Sequence, residues 1–143
     1  MAFLEKHEEQ EVVAAIQKAE TNSSGEIRVH LEKKCPKKDP IERAKYLFQK
    51  LQMHETELRN GVIIYVATED HLIAIWGDEG IHKPLGQDYW DSTLAQMTQA
   101  FKLGNYSQGL VEAVSDIGEK LSVHFPFQAD DKNKLDDSIS YGE

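Results

Sequence analysis

The chain has 143 residues and a mass of 16.3 kDa, 40% hydrophobic and 29% charged, with 16 basic against 25 acidic residues and a net charge of −9. That length makes one domain able to bury about two-thirds of its surface without staples, and the single cysteine, Cys35, excludes an intramolecular disulfide and every multi-cysteine zinc or iron–sulfur arrangement. No apolar run nears the ~20 residues of a membrane span and no basic-then-apolar leader opens the chain, so a cytoplasmic setting with no membrane partner is expected; the negative field argues for no nucleic-acid partner and for a divalent cation.

Val12, Val13, Ile16 and Ala19 recur at helical spacing behind a charged stretch from Glu5 to Glu11, which predicts an amphipathic helix ending near Thr21. After a turn at residues 22–25, Ile27, Val29 and Leu31 alternate with Glu26, Arg28, His30 and Glu32, and this period of two predicts a half-buried strand. The lysine-rich KKCPKK segment reads as a solvated loop. It leads to Asp39, which can cap a second helix with Pro40 at its first position and Glu42 reaching back. Ile41, Ala44, Leu47, Phe48 and Leu51 give that helix one apolar face. The run Gly61 to Ala67 is almost continuously apolar and rich in β-branched residues, as a central strand buried on both faces requires. A polar turn at 68–70 leads into Leu72 to Trp76 as a hairpin partner, ended by the GDEGI segment. Trp90, Leu94, Met97 and Phe101 predict a third helix stopped by Gly104, and Leu110, Val114, Ile117 and Leu121 a fourth. Residues 1–127 therefore read as one α/β domain. The polar, acidic tail 128–143, with Leu135, Ile139 and Tyr141 as anchors, is expected to be disordered or laid over the surface.

This order argues for a three-layer α/β/α sandwich with a small central mixed β-sheet. A strand–helix–strand crossover makes the first two strands parallel, and the hairpin makes the third antiparallel to the second. The end of the third strand (Gly77, Asp78) then lies beside the start of the second (Arg59, Asn60, Gly61), with the start of the first (Ser24, Gly25, Glu26) at the same edge. Glu26, Asn60, Asp78 and Glu79 converge there, and Asp88 and Asp91 follow in the next loop. Carboxylates and carbonyls from several loops suit a hard cation, and glycines at 25, 61, 77 and 80 permit tight turns that point carbonyls inward. The same residues also read as ordinary turn and cap chemistry, with Asp78 and Glu79 in a solvated turn and Asp88 capping a helix. Arg28 and Arg59 flank the region and offer guanidinium forks to phosphate, or pair with neighbouring carboxylates.

Other chemistry is thinly supported. The six histidines show no HxxxH or HxH spacing, Cys35 has no partner motif, and Ser23 and Ser24 lack a G-x-S-x-G context. DDKNKLDD fails as an EF-hand, because Leu135 falls on a ligand position and Gly142 where a bidentate Glu belongs.

The ordered set SSGEIRVHLE, DPIERAKYLF, RNGVIIYVA, GDEGI, FKLGNYSQGL and NKLDDSI resembles the stand-alone bacterial branch of the TPM domain family over Phe3 to Ile139. The resemblance implies an α/β/α sandwich and a divalent metal, usually calcium, in an acidic groove at one sheet edge. Carried over by position, the matching residues are Gly77, Asp78 and Gly80 of GDEGI, Asn60 and Gly61 of RNG, Ser24, Gly25 and Glu26 of the SGE turn, and Asp88 of the loop that follows. The branch commonly shows NELPDEI where this chain has NKLDDSI, with Lys134 and Ser138 in place of acidic residues. A plant thylakoid relative supplies a phosphatase label, but the residues offer no committed nucleophile. The reading is thus a TPM-type domain binding a divalent cation, Ca2+ ahead of Mg2+, with metal ligands Asp78, Glu79, Asn60, Glu26 and Asp88. The alternatives are a metal-dependent acid phosphatase acting on phosphomonoesters, with Arg28 or Arg59 holding the ester, and a protein-interaction module.

Overall fold

A computed structural model describes residues 3–127 and 139–142 of the chain. The Glu8 carboxylate accepts the Glu5 backbone N–H at 2.8 Å and starts α1 (Lys6–Thr21), which buries Val12, Ile16 and Ala19. β1 (Glu26–Glu32) follows, and then α2 (Pro40–Lys50), where Asp39 Oδ1 accepts the Ile41 N–H at 2.9 Å with Pro40 in the first turn. A 3₁₀ turn at Met53–Glu55 leads to β2 (Gly61–Ala67) and β3 (Leu72–Gly77). The helices α3 (Glu79–Leu85), α4 (Gln87–Lys102) and α5 (Tyr106–His124) complete the domain before β4 (Ser140–Tyr141). Gly104, at φ +81°, ends α4 in the left-handed region that only glycine enters cheaply.

Among the described residues, five helices pack around one four-stranded mixed sheet in the order β3-β2-β1-β4. β1 runs parallel to β2, with Glu26 opposite Gly61 and Glu32 opposite Ala67, while β3 is antiparallel to β2 with Gly77 opposite Val62. The period of two divides the sheet between two cores. Ile27, Val29, Leu31, Val62, Ile64 and Val66 face α1, α4 and α5; Ile63, Tyr65, Ala67 and Ala74 face α2. The three-layer sandwich expected from the sequence is the architecture found. No helix among the described residues is long and apolar enough to cross a membrane.

Three features depart from expectation. β1 is buried at all seven positions rather than on alternate ones, because it is an interior strand: β2 lies along one side, β4 pairs with His30 and Leu31 on the other, and the Glu20 carboxylate accepts the Ile27 N–H at 3.1 Å where β4 does not reach. The GDEGI segment does more than end β3. Asp78 is the N-cap of α3, a further helix of seven residues, about two turns, where the sequence predicted only a loop. The end of the tail is a strand: Ile139 is buried in the larger core, Ser140 and Tyr141 pair parallel to β1, and the Gly142 N–H donates to Leu31 O at 2.8 Å. Residues 128–138, which include Leu135 and all of NKLDDSI but Ile139, lie outside the described residues.

Helices α1 and α5 meet at a glycine. A Cβ added to Gly118 would stand 2.6 Å from Ala19 Cβ and 3.3 Å from its Cα, neither of which can rotate away. In a solvated helix Gly→Ala gains ~1 kcal/mol, whereas overpacking of this kind costs about 1–3 kcal/mol. Gly118→Ala is therefore expected to destabilise the protein, read as a lower urea midpoint with an unchanged slope.

Candidate functional site at the sheet edge

The convergence inferred from topology is present. Strand register puts Glu26 beside Gly61, and the Asp78 N–H donates to Gly61 O at 2.9 Å, which brings three loops to one end of the sheet. The Ser23–Gly25 turn is held from two sides. The Ser23 hydroxyl donates to Ala19 O at 3.0 Å and accepts the Gly25 N–H at 3.2 Å, and the Ser24 N–H donates to Phe125 O at 2.9 Å. Asn60 is 1% exposed; its N–H donates to Thr56 Oγ1 at 3.3 Å and its carboxamide Nδ2 reaches Ser24 Oγ at 3.5 Å. Glu26 is also buried, so the edge has taken two oxygen-bearing side chains out of water.

Asp78 and Arg59 dominate the geometry. Asp78 is 1% exposed, and Arg59 donates to it from both Nε (2.7 Å) and Nη2 (2.9 Å), a bidentate fork. The same carboxylate accepts the Glu79 N–H at 2.8 Å as it caps α3, and Glu79 answers with Oε1 at 3.2 Å from Arg59 Nη1. Hydrogen bonds and charge from Asp78 hold Arg59 protonated above its ordinary range. Asp78 is thus a buried carboxylate with its cation on the solvent side, since 45% of the Arg59 side chain remains exposed. Arg59 adopts φ +53°, a conformation that side chains disfavour and that glycine would accept more easily. Its backbone is gripped there by the Gly80 N–H, which donates to Arg59 O at 2.8 Å. A Cβ on Gly80 would collide with the carbonyls of Leu58 and Arg59, so glycine at 80 permits the close approach of loop and helix.

Ser24, Gly25, Glu26, Asn60, Gly61, Gly77, Asp78, Glu79 and Gly80 lie on the three converging segments. The four site glycines share a second property. None has a positive φ, and each instead admits a close neighbour, as Gly25 admits Leu121 and Gly77 admits Trp90. Asp78 is buried rather than in a solvated turn, while Glu79 is exposed. Asp88 is exposed in the first turn of α4, whose N-cap is Gly86, so Asp88 is not the cap. Arg28 is buried in mid-strand opposite Ile63. Among the described residues, no three His, Cys, Asp or Glu side chains stand close enough together to hold an ion as placed.

The opposite end of β1 holds a second polar cluster that sequence reasoning passed over. Glu32, with 2% of its side chain exposed, accepts from Arg43 Nε at 2.8 Å, Arg43 Nη2 at 2.9 Å and the Tyr65 hydroxyl. His30 stacks near Tyr65 and pairs through Nδ1 with Ser140 Oγ at 2.8 Å. The signal was available: a strand whose alternate residues are Glu, Arg, His and Glu must either face water or find partners. Burial alone would push the Glu32 carboxyl up, but the bonds from Arg43 and Tyr65 outweigh it and hold the group below the usual carboxylate range. Burial pushes the His30 imidazole below its ordinary value, against a partial opposing pull from Glu32.

Both shifts act in the same direction on stability. A depressed His30 keeps its contribution above the unfolded value of about 6.5 and loses it as pH falls toward the folded value, and Glu32 does the same from about 4.3 downward. Urea midpoints should therefore decline in two stages on acidification, and His30→Gln should flatten the first stage without abolishing the second.

The TPM domain model matches residues 1–120. The NMR structure of the BA42 protein from the psychrophilic bacterium Bizionia argentinensis superposes with a TM-score of 0.89 at 45% identity, over 99% of this chain and 97% of that one. The N-terminal domain of the cg2496 protein from Corynebacterium glutamicum shares the fold, with a TM-score of 0.66 at 15% identity over 82% of this chain and 74% of that one. No curated protein matches the chain. With a family match across most of its length and the same sandwich as a solved relative, the chain belongs to the TPM domain family.

Proposed function

We propose that this TPM domain binds a divalent cation at the sheet edge, Ca2+ in preference to Mg2+, in exchange for the Arg59 guanidinium. The observation that carries the reading is a fully buried Asp78 carboxylate neutralised by an arginine that is itself half in solvent. A carboxylate so buried needs a cation at all times, and a partner whose side chain is 45% exposed can pass into water if an ion takes its place on the carboxylate. The donor chemistry suits a hard ion: Asp78, Glu26 and Glu79 supply carboxylate oxygens, Asn60 a carboxamide, and the three loops backbone carbonyls. The present arrangement is not a cage, because both inner nitrogens of Arg59 occupy Asp78. Exchange therefore means release of the Arg59 guanidinium from Asp78. Calcium is favoured because it accepts more ligands and looser geometry than magnesium. The phosphomonoesterase alternative has less support, since Arg59 is committed to Asp78 and Glu79 rather than presented to an ester.

The test is a calcium and magnesium titration of metal-stripped protein followed by backbone amide shifts. Saturable changes are expected at 24–26, 59–61 and 77–79, with no response in Asp78→Asn. Arg59→Ala should bind calcium more tightly than the parent and gain more thermal stability from it, because the ion no longer competes with a guanidinium. Flat titrations in both the parent and Arg59→Ala would end the cation reading.

A further inference from the structure

The charges of this chain are segregated. Residues 33–50 hold seven basic and two acidic residues, whereas the rest of the chain holds nine basic and twenty-three acidic ones. The β1–α2 loop leaves the carboxyl end of β1, where the first turn of α2 sets Arg43 on Glu32. β1 is the point where the sheet changes direction: its crossover through α2 leads to β2 on one side, while β4 arrives on its other side after α5. In open α/β sheets the crevice outside the carboxyl ends of strands at such a switch point is where ligands bind. A cleft of ≈ 570 Å³ lies there, within the range of small-molecule sites, with His30, Arg43, Lys34, Lys50, Ser140 and Tyr141 among its walls.

The walls are built rather than incidental. Arg43 is fixed through Nε and Nη2 by Glu32, which leaves Nη1 outside the pair and the guanidinium held in one orientation. Lys34 and Lys50 are exposed at the mouth. On the floor, His30 Nε2 is buried and has no hydrogen-bond partner; the nearest carboxylate oxygen, Glu32 Oε1, is 3.7 Å away. Nδ1 shares a hydrogen bond with Ser140 Oγ at 2.8 Å, and the Ser140 oxygen also lies 3.4 Å from Val29 O, so Nε2 is the ring nitrogen left for another group. A buried ring nitrogen without a donor calls for a water or a ligand group that supplies one.

We infer that this cleft is a binding site for a small multivalent oxyanion, such as a phosphate or a hydroxy-polycarboxylate. Arg43, Lys34 and Lys50 hold its charge, and a ligand hydroxyl or oxygen, directly or through one ordered water, satisfies His30 Nε2. The site lies at the other end of β1 from the cation edge and does not rest on that reading.

The full chain, labelled for NMR and free of metal, is titrated at constant ionic strength with inorganic pyrophosphate in one arm and citrate in the other. Saturable shifts are expected for amides at 30–34, 43–50 and 140–142 and for the His30 ring, with residues 59–61 and 77–79 unmoved. Lys34→Gln/Lys50→Gln, whose changes are exposed and leave Glu32–Arg43 intact, should weaken binding by at least about tenfold. A response to pyrophosphate alone would narrow the ligand to phosphates, and a response to both supports the general oxyanion class. Non-saturating shifts or an affinity unchanged in the double variant would overturn the inference.

Discussion

The structure turns on a strand that is charged and yet interior. β1 places Ile27, Val29 and Leu31 in the larger core and Glu26, Arg28, His30 and Glu32 on the opposite side, and every one of these positions is buried. Removing ionised groups from water is expensive unless partners and hydrogen bonds accompany them. The neighbours of β1 are accordingly specified by its charges: Arg43 and Tyr65 by Glu32, and the terminal strand residue Ser140 by His30. What draws α2 and β4 into place is as much this demand for partners as the apolar packing behind them.

Polar burial is concentrated at the two ends of the strand, about 20 Å apart at the ordinary rise per residue. At the start, the Arg59–Asp78 pair ties the β1–β2–β3 end to the first turn of α3, with Gly80 allowing the backbones to touch. At the finish, the Glu32 cluster ties β1 to α2 and to the returning tail. The two ends differ in sign. The first gathers the Asp78 and Glu79 carboxylates around the Arg59 guanidinium, and the second sets Arg43, the Tyr65 hydroxyl and His30 around the Glu32 carboxylate. A single α/β domain thus buries opposite electrostatic arrangements at opposite ends of one strand.

Much of this was legible in the sequence. The alternation of 27, 29 and 31, the apolar run 61–67 and the hairpin into 72–76 set the strand directions, because a crossover and a tight turn each leave one orientation open. From direction alone it followed that residues 24–26, 59–61 and 77–78 share an edge. Capping chemistry at Asp39 and the stop at Gly104 were equally local and equally readable. These features depend on neighbours a few residues away, which is why composition and spacing suffice for them.

Burial and pairing were decided elsewhere. Whether β1 is an edge or an interior strand depends on where a segment more than a hundred residues later returns, and no period in residues 26–32 carries that information. Likewise, the sequence placed Arg59 and Asp78 at one edge, but only the positive φ of Arg59 and the contact with Gly80 turn the guanidinium onto the carboxylate. The sequence by itself determined the elements, their directions and the edge at which loops converge, because these follow from short-range sterics and periodicity. The tertiary structure alone decided which charges are buried and with whom they pair, because desolvation and hydrogen-bond geometry are properties of groups brought together from distant parts of the chain.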